Sequence, residues 1–370
     1  VGVVVGSKEG SAFPAGRAAE RKGRFIVQKT VLLGMSGGVD SSVAVHLLQK
    51  QGYKVIGCHL LFTEDSSKDS ASALRALHTA DRFGIPLIFS DRRELFRERV
   101  TDAFCRMYAE GLTPNPCIMC NTHAKFVSLA EEADKAGAEL IATGHYARTE
   151  NTPGCVKLMR APTRKDQTYF LYRVPSEILA RTVFPLGDFT SKDEIRAIGR
   201  TLGLEAAATP DSQDICFIPD GDTGAFLSSR LPKIKNTGDI LDIFGNKIGT
   251  HNGIFNYTVG QRKGLGAFGK PMYVSRINAA DNTVTICTSE ERFTDTVRAH
   301  LLKCINGVFP SEDFSAEIMI RSTAFPVKAA VTVCGDIMTA RLEKPVFSPC
   351  PGQSAVLYND DTVIGGGIIF

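Results

Sequence analysis

No apolar run in this 370-residue sequence approaches the ~18 residues of a membrane-spanning helix, which argues against a helical span. Excess charge of one sign is also scarce: 43 Lys and Arg stand against 40 Asp and Glu, a net +3. That balance neither demands nor forbids nucleic acid, so any basic footprint has to be local. No internal repeat and no low-complexity tract is found. Ten cysteines are too few for a disulfide-stapled scaffold of this length. The apolar start, Val1 to Gly6, has no basic residues before it and is too short for a secretion signal. A reducing, cytoplasmic setting is expected, in which paired cysteines serve metal or redox chemistry. What is present is an ordinary globular mix, 43% hydrophobic and 22% charged, in a length suited to two or three domains.

Residues 1–29 read as a flexible lead-in rich in small and basic residues, with a transit peptide as the other reading. The first half then alternates strand and helix patterns. Strands are expected over 30–35, 54–62, 86–90 and 139–143, and helices over 41–50, 71–83, 93–108 and 122–136. Strands interleaved with helices of this length imply right-handed crossovers and a doubly wound parallel sheet covered on both faces. From about residue 238 the pattern changes to β-branched runs separated by Gly-containing turns, which suggests small antiparallel sheets or a barrel. Domain boundaries are expected near residues 223 and 292.

Five strings carry chemistry. The first runs from Gly34 through Met35, Ser36, Gly37, Gly38, Val39, Asp40 and Ser41 to Ser42, after an apolar strand and at the start of a helix. Glycines let the backbone bend and approach a ligand, and the helix N-terminus offers free N–H groups to an anion. Ser36, Ser41 and Ser42 can add hydroxyl donors, and Asp40 can hold Mg²⁺ beside phosphate oxygens. A glycine turn with a Ser or Asp cap is the plainer reading of any shorter piece. No Gly-Lys-Ser/Thr follows, so this is not a Walker A loop. The second string is Thr113-Pro114-Asn115-Pro116-Cys117-Ile118-Met119-Cys120-Asn121, followed by Lys125 and Phe126. Cys120 is expected near the N-terminus of helix 122–136, where the dipole favours a thiolate. A Cys-x-x-Cys pair also suits a metal, a disulfide, or simply a buried position.

The third string, residues 209–218, sets Cys216 in a polar, turn-like stretch that suggests accessibility. Asp211 and Asp214 by themselves raise its pKa, so activation has to come from elsewhere. The fourth, Ala142-Thr143-Gly144-His145-Tyr146, ends the fourth strand, where ligands of parallel sheets collect. A structural imidazole is the other reading of His145. The fifth, residues 157–173, holds Lys157, Arg160, Arg164, Lys165 and Arg173 against Asp166, with Tyr169, Phe170 and Tyr172 interleaved. Basic groups neutralise phosphates and aromatic faces stack bases, unless the stretch is only a solvated charged face. Gly260 to Gly266 is a second basic, Gly-rich loop.

The first string resembles the pyrophosphatase loop (PP-loop) of ATP-dependent adenylating enzymes. With 113–121, 142–146, 165–172, 211–218, 257–266, 351–358 and 365–369 in order, the chain resembles the bacterial-type tRNA 2-thiouridylase family over about residues 30–370. The resemblance implies an α/β, Rossmann-like PP-loop ATPase domain (30–223), a small central β-rich domain (224–291) and a C-terminal β-barrel (292–370). It implies ATP-dependent exchange of the 2-oxygen of the wobble uridine for sulfur in tRNAs for Lys, Glu and Gln. Gly34 to Ser41, Leu60 and Gly144 would bind ATP with Mg²⁺. Asn115, Pro116 and Cys117 would face the target base. Lys165, Asp166, Gln167, His145, Gln353, Arg321 and Ser322 would contact tRNA. A persulfide would form on Cys216, with Cys120 as its catalytic partner and a cysteine desulfurase or sulfur-relay protein as donor. Many members carry Asp where this chain has Cys117, so Cys117, Cys120 and Cys216 could instead hold a 4Fe-4S cluster. Competing functions are a PP-loop enzyme that amidates a small molecule and a non-catalytic RNA-binding protein.

Overall fold

The computed structural model describes residues 28–152, 154–209, 214–218, 221–231 and 236–370. Of the expected lead-in, residues 1–27 lie outside these, as do Asp211 to Gln213 of the third string.

Five strands, β1 (Thr30–Gly34), β2 (Lys54–Leu61), β3 (Leu87–Asp91), β4 (Leu140–Ala142) and β7 (Thr182–Val183), form a parallel sheet in the order β3-β2-β1-β4-β7. Val31, Leu32 and Leu33 are fully buried, as the central strand of a sheet covered on both faces requires. The chain runs outward from β1 through β2 to β3 on one side and through β4 to β7 on the other. The reversal puts a crevice at the carboxyl ends of β1 and β4.

Helices α1 (Val39–Lys50) and α2 (Ala71–Phe83) follow β1 and β2. Arg93–Phe96, a π turn at Arg97–Thr101 and Asp102–Ala109 run on as α3. Pro116–Cys120, a π turn at Asn121–Lys125 and Phe126–Lys135 run on as α4. This helix begins at 116 rather than the expected 122. Asn115 caps it, accepting from the N–H groups of Cys117 at 3.1 Å and Ile118 at 3.2 Å, and Pro116 supplies a preset φ at the first position. After β7, α5 (Lys192–Thr201) opens with a reciprocal capping box between Ser191 and Glu194. No helix among the described residues is long and apolar enough to cross a membrane.

The central sheet has the order β10 (Tyr273–Asn278), β11 (Thr283–Cys287), β8 (Thr237–Leu241), β9 (Lys247–Asn252). Its β11–β8 pair is parallel, unlike the antiparallel expectation, because a long connection separates the two strands. In the C-terminal region β12 (Phe293–Cys304), β15 (Ile337–Phe347), β14 (Val327–Cys334), β13 (Asp313–Met319), β16 (Ser354–Asn359) and β17 (Thr362–Ile369) pair in sequence. Pairing of β12 with β17 closes them into a six-stranded barrel around Val297, Ile318, Val331, Met338 and Leu357.

An unexpected hairpin, β5 (Ala147–Thr152) and β6 (Cys155–Arg160), leaves the crevice and extends the barrel's sheet through Met159 opposite Thr362. This overturns the base-stacking expectation at Tyr169 and Tyr172, whereas Phe170 is half-buried. Tyr169 and Tyr172 are fully buried against the barrel, their hydroxyls bonded to the Ser354 carbonyl at 2.9 Å and the Ser354 hydroxyl at 3.0 Å. Their apolar bodies weld the two regions together and offer no face to a base. Arg160 lies over the Tyr358 ring at 3.7 Å, and Lys157 pairs with Glu150 at 3.2 Å.

Candidate active site

The glycine string sits at the crevice. Gly37 bends with φ +76°, and a Cβ there would lie 2.1 Å from the Ser72 carbonyl oxygen, so only glycine fits. Arg75 Nε donates to the Gly37 carbonyl at 3.0 Å and pins the bend to α2. Gly38 precedes α1 without any side-chain cap, which leaves first-turn N–H groups available to an anion. A Cβ on Gly38 would meet only Ser36 Oγ, at 3.5 Å. That open space, rimmed by the Ser36 and Ser41 hydroxyls 3.3 Å apart, is a fitting cradle for phosphate. Ser42 does not belong to it: it is buried, donates to the Gly38 carbonyl at 3.0 Å and meets Thr79 at 3.2 Å.

Asp40 faces inward. Tyr146 Oη donates to its Oδ1 at 2.9 Å and Lys192 Nζ, from the start of α5, to its Oδ2 at 2.5 Å. A carboxylate at the edge of a phosphate cradle is the donor type that fits Mg²⁺. Gly144 closes the other wall, where a Cβ would lie 3.0 Å from the Ser41 nitrogen. Met35 is held by its N–H to the Cys58 carbonyl at 2.8 Å and by its carbonyl to His59 Nδ1 at 2.7 Å. Leu60, beside His59, is half-buried near the end of β2.

The cysteines lie on α4 and on the described piece of the third string. Cys120 is buried one turn inside α4, not at its N-terminus, so the expected dipole activation is absent. Burial pushes its thiol up to about 11, opposed by the Lys125 ammonium. Cys117 and Cys216 are surface residues, yet protein crowded around each sulfur raises the thiol, again opposed by Lys125. Cys120 feels both Cys216 and Cys117, so the three thiols are neighbours. Phe217 holds Cys216 there, packing edge-on to Phe96 at 5.6 Å and to Phe104 at 5.4 Å in a cluster that reaches Cys120. Among the described residues, however, no group of three His, Cys, Asp or Glu side chains is placed to hold a metal ion. As placed, the three cysteines do not fit a 4Fe-4S cluster.

A continuous run of contacts joins cradle and thiols. Gly144 touches the start of α1, and His145 stacks on Phe126 at 5.7 Å and 24°. Phe126 follows Lys125, whose charge reaches all three cysteines. His145 accepts or donates at Thr143 Oγ1 over 2.8 Å, and burial, then Lys125, holds the imidazole well below its usual pKa and thus neutral. The π turn at 121–125 shifts Lys125 relative to a regular helix and brings its backbone N–H to the Cys120 sulfur. Lys125 therefore opposes the rise that burial imposes on all three thiols. Removing its charge takes away the influence that lowers these thiols, so Lys125→Met is expected to move the alkylation profile of Cys216 further to alkaline pH. Iodoacetamide labelling between pH 7 and 10 checks this; an unmoved profile contradicts it.

The remaining predicted residues are mostly engaged within the protein. Gln353 Nε2 donates to the Thr113 carbonyl at 2.8 Å, and Thr113 N–H to Pro351 at 2.9 Å, so the barrel clamps the loop that carries Asn115, Pro116 and Cys117. Asp166 accepts from Ala161 N–H at 3.0 Å and Thr168 Oγ1 at 2.6 Å, and burial raises its carboxyl. Gln167 accepts from Tyr146 N–H at 3.0 Å, whereas Lys165 is exposed. Arg321 Nη2 donates to the Ser348 carbonyl at 2.7 Å, beside half-buried Ser322. Sequence reasoning missed Lys192. Only its place in a capping signal marked it, and nothing linked it to Asp40.

Three family models match in chain order: tRNA methyl transferase HUP domain over residues 29–220, tRNA methyl transferase PRC-barrel domain over 224–288, and aminomethyltransferase beta-barrel domain over 294–369. A tRNA-specific 2-thiouridylase MnmA of Clostridium perfringens is 42% identical over 93% of this chain and 99% of its own. One from Clostridium acetobutylicum is 40% identical over 93% of this chain and 100% of its own. One from Pelobacter propionicus is 41% identical over 92% and 97%.

Proposed function

The chain belongs to the tRNA-specific 2-thiouridylase family, and from that we infer that it is an ATP-dependent tRNA sulfurtransferase. The observation that carries the reading is the run of contacts from phosphate cradle to neighbouring thiols, in a chain that matches its relatives over 93% of its own length and up to 100% of theirs. The family models are described by methyl transfer, but a PP-loop beside two cysteines suits adenylation and sulfur exchange.

A uridine C2 oxygen is a poor leaving group. Its attack on the α-phosphorus of ATP forms a C2–O–P bond, expels pyrophosphate and turns that oxygen into part of AMP. Gly37, Gly38 and the first N–H groups of α1 hold the phosphates, with Ser36 and Ser41 as hydroxyl donors. Asp40 would hold magnesium, which supplies charge neutralisation on the phosphoryl oxygens. The outer sulfur of a Cys216 persulfide attacks C2, and AMP departs with the oxygen. The Cys120 thiolate then attacks the inner sulfur, releases the 2-thio group and leaves a Cys120–Cys216 disulfide, which a thiol reductant reopens. The target base has to be unstacked to reach this crevice, as for other enzymes that act on a base. A cysteine desulfurase or relay protein supplies the persulfide sulfur, and the tRNAs for Lys, Glu and Gln are the expected substrates. An amidating PP-loop enzyme would leave Cys120 and Cys216 without work.

Formation of AMP from ATP only when unmodified tRNA is present tests this reading, and its absence would overturn it. Lys192 steadies Asp40 at the cradle's edge. Lys192→Ala is expected to slow AMP formation by about 10²-fold, the scale of one lost electrostatic donor, with tRNA affinity unchanged. Single-turnover AMP release and tRNA titration separate the two effects.

A further inference from the structure

A groove of about 510 Å³ opens between α3, α4 and the rim of the barrel. That is within the ~300–1,000 Å³ range of small-ligand sites. Its floor is apolar, with Met107, Met119 and Leu301, and its rim carries Arg99, Arg106 and Arg173. Pro114 and Asn115 line it too, so the groove meets the loop that carries Cys117.

Several features mark it as a site rather than a packing gap. Arg99 and Arg106 are exposed and form no ion pair among the described residues. Arg173 is fixed, donating to the Leu301 carbonyl at 2.7 Å. Glu98 and Glu110 also line the groove, and burial, then the Arg173 and Arg99 guanidinium groups, hold the His123 imidazole below its usual pKa. Leu301 is 60% exposed and held at φ +50° by a bulge between His300 and Lys303. A non-glycine residue in that region is strained, and here the strain keeps an apolar side chain out of the barrel and at the groove.

An apolar slot rimmed by guanidinium groups, two of them in no ion pair among the described residues, has the chemistry to take a nucleotide, base inward and phosphates on the arginines. We propose that this groove seats an unstacked nucleotide of the RNA strand next to the target uridine, with its flanking phosphates on Arg99 and Arg106. This rests on the tRNA reading above and extends it to residues outside the reacting crevice. Holding a neighbouring nucleotide out of the stack also lowers the cost of presenting the target base.

The test uses the full chain with unmodified tRNA at several salt concentrations, and with an anticodon stem-loop carrying 2-aminopurine beside the target uridine. The Arg99→Gln/Arg106→Gln double variant is expected to weaken binding at least tenfold. It should also flatten the slope of log K against log salt by about 0.7 per lost phosphate contact. Ala103→Trp, which fills the floor, is expected to abolish the 2-aminopurine fluorescence increase that wild type gives. Neither should alter ATP affinity. Wild-type RNA binding with variants indistinguishable from it overturns the groove alone, as does loss of persulfide-donor binding with RNA binding intact. Wild-type protein that binds no tRNA overturns the tRNA reading and the groove with it.

Discussion

Replacing Cys216 with serine is expected to abolish 2-thiouridine formation, a loss of at least about 10³-fold, while AMP still forms. A hydroxyl cannot carry a persulfide, so nothing is poised to attack C2. The cradle is unaffected, because the contacts that reach it pass through Gly144, His145 and Phe126 and not through Cys216. Cys120→Ser should form the adenylate but stall after at most one sulfur per enzyme. Cys117→Ser should keep thiolation within a few-fold, since the three cysteines form no metal-ligating group. Quantifying AMP and 2-thiouridine in one reaction decides among these. Equal loss in Cys117→Ser and Cys216→Ser would favour a shared cluster over a persulfide.

The second large effect separates two adjacent glycines. Gly37→Ala places a Cβ within 2.1 Å of the Ser72 carbonyl and forces a left-handed φ of +76° on alanine. It is expected to cost at least about 1–2 kcal/mol of stability, besides activity. Gly38→Ala has an extended φ of −91° and meets only Ser36 Oγ at 3.5 Å, so its melting temperature should stay near wild type. Its methyl group nevertheless fills the cradle, and ATP affinity is expected to fall at least about 10²-fold, a loss of roughly 2.7 kcal/mol. Thermal melts and ATP titration check the pair. Equal melting temperatures for both variants would contradict the strain argument, and unimpaired ATP binding by Gly38→Ala would contradict the cradle.

Much of the parallel sheet was legible because each strand and its following helix lie close in sequence. The apolar run that became β1, the glycine bend and α1 form one local unit. The start of α4 falls six residues before the expected 122 because Asn115 and Pro116 together are a helix-start signal, a cap followed by a preset φ. The missed hairpin β5–β6 has a different cause: its partner Thr362 lies at the far end of the chain. Distance in sequence also hid Tyr169 and Tyr172, whose alternation with basic residues resembles a base-stacking face until the barrel covers them. The same holds for Lys192 on Asp40, an ion pair that no local pattern encodes. Cys216 was legible as a thiol in a polar turn, but Lys125 and the aromatic anchor of Phe217 appear only once α3 and α4 pack together.

The most direct measurement is the stoichiometry of one reaction. Purified protein, unmodified tRNA, ATP and a cysteine desulfurase with cysteine are incubated, and AMP and 2-thiouridine are counted together. The account predicts one AMP for each 2-thiouridine and neither product without ATP. 2-Thiouridine formed without AMP, or formed by Cys216→Ser at the wild-type rate, would contradict it.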